Sequence, residues 1–150
     1  MGHRIIVAGP RGDWEPPKDG DWYLVAADDT GIPATGRVLQ ALPDRPCSAI
    51  FEVAGKTERR PPPGVNEDLP TWLFREQENS HAGQLLEEAV RAIDFPAGRC
   101  YVWMALESGA MRRIRRYLLE EMDLLPEQMV TRGYWKLGVP DHPDGDYGQE

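Results

Sequence analysis

The stretch Trp22-Tyr23-Leu24-Val25-Ala26-Ala27, followed by Asp28-Asp29-Thr30-Gly31-Ile32-Pro33-Ala34, decides how this chain folds. The apolar run predicts a buried strand, and the residues after it predict a tight turn into a helix. Thr30 is a helix-capping residue type, Gly31 lets the backbone approach a ligand, and Pro33 suits a first helical turn. A strand, a glycine turn and a helix N-terminus together predict an anion site for a pyrophosphate. An ordinary strand-to-helix turn is the alternative interpretation.

The rest of the chain alternates strand and helix patterns at the same spacing. Further strands are predicted at Cys47–Val53, Thr71–Phe74, Cys100–Ala105 and Val130–Lys136, and helices at Ala34–Leu42, after a capping Ser80, and at Ala110–Met122. This alternation predicts an α/β fold with a doubly wound, mostly parallel five-stranded sheet. Ligands of such sheets bind at the carboxyl ends of the strands. Here those ends carry Asp28–Ala34, Arg75, Ala105–Gly109 and Gly133–Lys136.

Length, composition and net charge indicate a one-domain globular protein and argue against several classes of partner. The chain has 150 residues, 41% of them hydrophobic, which is enough for one domain with a core. Its net charge of −8 argues against nucleic acid or an anionic membrane as a general partner. No apolar run reaches the length of a membrane helix, so no membrane span is predicted. Cys47 and Cys100 are predicted to be buried thiols in a reducing cytoplasm, and the scattered histidines predict no metal site.

Four motifs carry a family resemblance. The family pattern Gly-Asp-Glu-Thr-Ala-Leu-Pro-Ala is matched by residues 27–34, and a strand ending Thr-Trp-(Leu/Ile)-x-Arg is matched by Thr71 to Arg75. Trp-x-Ala-Gly-Glu before an arginine-rich helix is matched from Trp103 to Leu118, and Gly-Tyr-Trp-(Arg/Lys)-x-Gly from Gly133 to Gly138. In this order they resemble the C-terminal NAD(P)H domain of siderophore-interacting proteins, flavin-dependent ferric-siderophore reductases of the ferredoxin-reductase superfamily.

The resemblance implies a cofactor, NADPH, and electron transfer through FAD on a missing or separate domain to a ferric siderophore, whose reduction releases iron. It assigns the cofactor contacts to Asp28, Asp29, Thr30, Gly31, Ile32, Pro33, Arg75, Ala105, Leu106 and Glu107, and the siderophore face to Trp135 and Lys136. Arg75 is expected to bind the 2′-phosphate of NADPH. A surface ion pair with Glu76 or Glu78 is its alternative role. Glu107 is also expected to stabilise the start of the following helix.

Two departures from the family pattern bear on this function. Leu106 stands where the family has glycine, and the resemblance implies that a leucine there obstructs the nicotinamide. Ala27 replaces the glycine before the acidic pair. Gly31, where the family has alanine, is expected to be a milder change. Phosphate binding is therefore predicted to be better preserved than the geometry for hydride transfer.

The resemblance also implies a domain organisation. Residues 1–12 resemble the last strand of an absent flavin-binding barrel, residues 13–139 form the NAD(P)H-binding domain, and residues 140–150 are predicted to be an acidic flexible tail. The chain can be read as a C-terminal fragment, a split subunit or a stand-alone protein. Without a flavin domain we predict no reductase activity. The alternative function is a non-catalytic dinucleotide-binding or protein-interaction module.

Overall fold

The computed structural model describes residues 14–42, 44–78, 80–143 and 147–148. The predicted strand remnant within residues 1–12 lies outside the described residues. Within the described residues, five strands and four α-helices follow one another as β1 Trp22–Asp28, α1 Ile32–Gln40, β2 Cys47–Val53, β3 Pro70–Phe74, α2 Arg75–Glu78, α3 Gln84–Arg91, β4 Cys100–Glu107, α4 Ser108–Glu120 and β5 Met129–Trp135. Short 3₁₀ turns cover Lys56–Glu58 and Pro126–Gln128. The predicted α/β class and five-stranded sheet are confirmed.

All five strands are parallel, and their order across the sheet is β3-β2-β1-β4-β5. At the end of β1, Ala27 pairs in register with Phe51 of β2 and with Ala105 of β4. The chain therefore extends the sheet in one direction from β1 to β3 and then returns to add β4 on the other side of β1. The boundary between β1 and β4 is the topological switch point, where ligands of open α/β sheets commonly bind.

The core lies on both faces of the sheet. Alternate residues of β1 point to opposite faces, as the period of a strand requires. Leu24 and Ala26 join a cluster with residues of α3 and α4, whereas Val25 and Ala27 join a second cluster with residues of α1. Every residue of β1 is buried, which explains why its sequence is continuously apolar up to Asp28.

The helix starts differ from two expectations. The cap of α1 is Gly31 and not Thr30, and no side-chain cap bond is made there. The cap of α3 is Gly83, whose φ of 79° is left-handed, and not Ser80. A glycine adopts this backbone conformation without strain. The acceptors for these two helix starts come instead from carboxylates on the strand ends, as described below.

The cysteines and the tail complete the description. Burial raises the pKa of both Cys47 and Cys100 to about 12, so both are protonated thiols at neutral pH. Cys100 is buried as predicted, whereas Cys47 is half-buried. A flexible tail over residues 140–150 stays a prediction. One described residue in it, Tyr147, contacts β5. Its carbonyl accepts a hydrogen bond from the Thr131 hydroxyl, and its ring lies 4.2 Å from the Arg132 guanidinium. Among the described residues, no helix has both the length and the apolar character needed to cross a membrane.

Candidate functional site

The carboxylate of Asp28 joins four segments at the switch point. Its Oδ1 accepts hydrogen bonds from the Thr30 N–H (2.9 Å), the Thr30 hydroxyl (2.6 Å) and the Gly31 N–H (3.3 Å). Its Oδ2 accepts from the Glu107 N–H (2.8 Å) and from Nε1 of Trp135 (2.7 Å). Asp28 is buried, so these five donors replace the water that an ionised carboxylate needs. Its role in this structure is to join β1, β4, β5 and the turn before α1.

The same bonds bear on the predicted pyrophosphate position. Of the N–H groups from Thr30 to Ile32, those of Thr30 and Gly31 already donate to Asp28. Pro33 has no N–H, and the Ala34 N–H donates to the Gly31 carbonyl oxygen (3.0 Å). The protein's own carboxylate thus occupies much of the place that an anion was expected to take. Pyrophosphate binding at this turn stays a prediction, and it requires some of these donors to be released.

Glu52 is a site residue that the sequence analysis missed. It is fully buried at the carboxyl end of β2, and its Oε1 accepts from the Gly83 N–H (2.7 Å) and from Arg75 (3.1 Å). Its Oε2 accepts from the Leu86 N–H (3.1 Å). Glu52 therefore caps α3 from a strand that lies more than thirty residues earlier in the chain. A single acidic residue inside the apolar run of β2 was the available signal, because a buried charge needs partners.

Glu107 caps α4 as expected. Its Oε2 accepts from the Ala110 N–H (2.8 Å), and its Oε1 accepts from the Leu137 N–H beyond β5 (3.2 Å). Asp28, Glu52 and Glu107 thus share one function at the carboxyl edge of the sheet, where each supplies the acceptor for backbone N–H groups at or just before a helix start. The three carboxylates also make this edge acidic, which opposes the binding of an anionic ligand.

Arg75 is a cation at this edge. Its described ion pairs are with Glu52 and Asp29, and not with Glu76, one of the two partners in the alternative interpretation. One guanidinium nitrogen lies 3.1 Å from the buried Glu52, and the other lies 2.8 Å from Oδ2 of Asp29. The Arg75 side chain is 20% exposed and that of Asp29 is 38% exposed. Desolvation lowers the pKa of Arg75, but the hydrogen bonds to Asp29 and Glu52 outweigh it, so the net pKa is raised. Arg75 therefore stays charged and partly accessible.

Gly31 serves a contact within the protein. A Cβ atom added there would overlap the Ala105 carbonyl oxygen and would lie 2.8 Å from the Ala105 carbonyl carbon. Its φ of −86° is ordinary, so the requirement for glycine is the close approach of β4 and not the backbone conformation. The close approach of Gly31 to a ligand stays a prediction, and so does the milder effect of glycine in place of the family's alanine. The structure adds a reason of its own for glycine here, the contact with Ala105.

We predict that Gly31→Ala lowers the free energy of unfolding by about 1–3 kcal/mol, the usual cost of overpacking a close contact. Urea denaturation followed by circular dichroism measures it. Pro33→Ala, an exposed change two residues along, should stay within about 0.5 kcal/mol of the wild type. A Gly31→Ala protein as stable as the wild type would show that β1 and β4 separate easily at the switch point.

Leu106 was expected to face an open ligand site, but in the structure it faces the core. Its side chain is fully buried and belongs to the core cluster that includes Leu86 and Ala110. Its Cδ1 lies 3.9 Å from the Cβ position of a side chain at Gly83. The alternation of β4 directs Leu106 into the layer between the sheet and α3 and α4. The expectation that Leu106 collides directly with a nicotinamide ring at the carboxyl edge of the sheet is therefore corrected.

The proposed siderophore residues lie at the end of β5. Trp135 is half-buried and its indole N–H is held by Asp28, whereas Lys136 is exposed. Next to them Tyr134, Leu137 and Val139 are exposed apolar side chains. The structure thus brings together Asp28, Gly31, Ala105, Glu107 and Trp135 at the switch point, and Asp29, Arg75 and Glu52 beside it. In the described part of the chain, no group of acidic, histidine or cysteine residues is arranged to hold a metal ion.

Comparison with known proteins agrees with this fold. A siderophore utilization protein from T. fusca superimposes with a TM-score of 0.70 at 34% identity, covering 85% of this chain and 49% of its own. The siderophore-interacting protein from Acinetobacter baumannii superimposes with a TM-score of 0.73 at 25% identity, with 89% and 53% coverage. The NADPH-dependent ferric-chelate reductase of Escherichia coli K12 is 26% identical over 139 residues, with 89% and 52% coverage.

The chain spans about half the length of the curated relatives that it matches. The family described as "Siderophore-interacting protein" matches residues 20–138, which include every described strand and helix. This match agrees with the four sequence motifs, which occur in the order of the family, and with the parallel sheet. The chain therefore belongs to the siderophore-interacting protein family.

Proposed function

We propose that this chain is the NADPH-binding part of a ferric-siderophore reductase, with electrons passing through FAD held outside the chain. The observation that carries the proposal is Arg75, a charged and partly exposed guanidinium held at the carboxyl edge beside the switch point. The E. coli relative is an NADPH-dependent ferric-chelate reductase, which supports the cofactor and the substrate class. The cofactors would supply the redox chemistry, and this chain would bind and orient the dinucleotide.

The residues fit a phosphorylated dinucleotide in part. Arg75 offers a planar donor for a phosphate, and Glu52 fixes its inner nitrogen so that the outer nitrogen faces the surface. Lys136 adds a second exposed cation after β5. Against this, Asp29 and the three buried carboxylates add negative charge. We therefore expect weak binding of NADPH by the isolated chain.

The decisive measurement is calorimetric titration with NADPH and with NADH. Arg75→Ala should weaken NADPH more than NADH, by about 1–3 kcal/mol, because a charged hydrogen bond to the 2′-phosphate is lost. Since that change also leaves the buried Glu52 without its cation, Arg75→Lys is tested beside it. Lysine keeps the charge but not the two-pronged geometry, so it should lose part of the preference for NADPH.

Arg99→Ala is the matched control, because Arg99 is an exposed arginine at the opposite end of the sheet, next to the start of β4. It should leave both affinities unchanged. Equal losses for NADPH and NADH in the Arg75 variants would contradict the 2′-phosphate role. Absence of binding by the wild type would contradict the proposed function.

A non-catalytic module is the second candidate function. It is favoured because the groups expected to bind an anion already have partners within the protein. The Thr30 and Gly31 N–H groups donate to Asp28, and Arg75 pairs with Asp29. Mixing the chain with the flavin domain of a complete family member and following flavin absorbance after NADPH addition separates the two. Reduction that depends on this chain supports the reductase part, whereas NADPH binding without any reduction supports the module.

A further inference from the structure

The ion pair between Asp29 and Arg75 connects the two motifs that were expected to bind one ligand. Asp29 follows β1 in the acidic turn, and Arg75 begins α2 directly after β3, 46 residues along the chain. Their side chains meet at 2.8 Å across the carboxyl end of β2. The family resemblance assigns both residues to the cofactor. In the structure they form an ion pair with each other.

The two partners of Arg75 are not equivalent. Glu52 is fully buried and also accepts two backbone N–H groups, so it cannot leave without exposing the start of α3. Asp29 is 38% exposed, and the pair with Arg75 is the interaction that its side chain makes among the described residues. Glu52 is thus a fixed support, whereas Asp29 can rotate into solvent at little cost, because exposed ion pairs are weak.

From this asymmetry we infer that Asp29 is a built-in competitor for the anion-binding side of Arg75. It determines how tightly this chain binds a 2′-phosphate. A phosphate that reaches the outer guanidinium nitrogen takes the place of the Asp29 carboxylate, and the displaced carboxylate then remains near the ligand as a like charge. Both effects weaken phosphate binding. The inference rests on the proposed NADPH site.

The test uses the whole chain and two small probes that differ only in the position of one phosphate, adenosine 2′-monophosphate and adenosine 5′-monophosphate. Asp29→Asn keeps the size of the side chain and removes its charge. We expect it to tighten binding of the 2′-phosphate about three- to tenfold and to change the 5′-isomer much less. In an Arg75→Gln background the gain should vanish, because the group for which Asp29 competes is absent.

Glu127→Gln is the matched charge control. Glu127 is exposed and lies before β5, at the opposite edge of the sheet. It should leave both affinities unchanged. Unchanged or weaker 2′-phosphate binding by Asp29→Asn, or an equal gain for both isomers, would overturn the competitor role while leaving NADPH binding intact. If no variant binds NADPH or either probe, both the proposed function and this inference fail.

Discussion

Asp28→Ala should lower the free energy of unfolding by about 3–5 kcal/mol, because it removes the acceptor of five hydrogen bonds at the centre of the sheet edge. Buried donors left without a partner cost more than the bonds themselves contribute. The Glu107 N–H and the Trp135 indole N–H would both lose the oxygen to which they donate, Oδ2 of Asp28. Urea denaturation followed by tryptophan fluorescence measures the loss, and Trp135 is itself a reporter.

Two further variants make this test specific. Asp28→Asn should also be strongly destabilising, because both carboxylate oxygens accept from donors and an amide presents N–H groups to one set of them. Asp29→Asn is the matched control one residue along. Its single exposed ion pair is expected to contribute about 0–1 kcal/mol. An Asp28→Ala protein within about 1 kcal/mol of the wild type would refute the role assigned to this carboxylate.

Leu106→Ala should cost about 2–5 kcal/mol, the range for removing a fully buried leucine and leaving a cavity. Leu137→Ala is the matched control, since Leu137 is 66% exposed and should change stability by no more than about 0.5 kcal/mol. Thermal unfolding of the two variants side by side measures the difference. We expect the larger loss of stability for Leu106→Ala because Leu106 lies in the core layer beneath α3 and α4.

A glycine variant decides between two roles for Leu106. If it obstructs a nicotinamide, Leu106→Gly joined to a competent flavin domain should speed flavin reduction without a large loss of stability. If it is a core residue, as its burial indicates, the glycine variant should be less stable and no faster. A stable variant with faster reduction would restore the steric interpretation.

The sequence by itself determined the five strands and three of the four helices in the described part of the chain. The short helix α2 was not predicted. The apolar runs of β1, β2 and β4 predicted buried strands because burial on both faces leaves no polar alternation. The expected role of Glu107 at the start of α4 was found because it involves Ala110, three residues along. Such features are local in the chain, and local patterns are visible in a single sequence.

Only the tertiary structure decided the partners of the charged residues. Asp28 meets Glu107 and Trp135 because the strand order places β4 beside β1 and β5 beside β4. Glu52 caps a helix more than thirty residues later, and Arg75 pairs with Asp29, 46 residues earlier. A charge in an apolar strand predicts that a partner exists but does not identify it. The partner depends on which strand ends the fold brings together, and that follows from packing of the whole sheet.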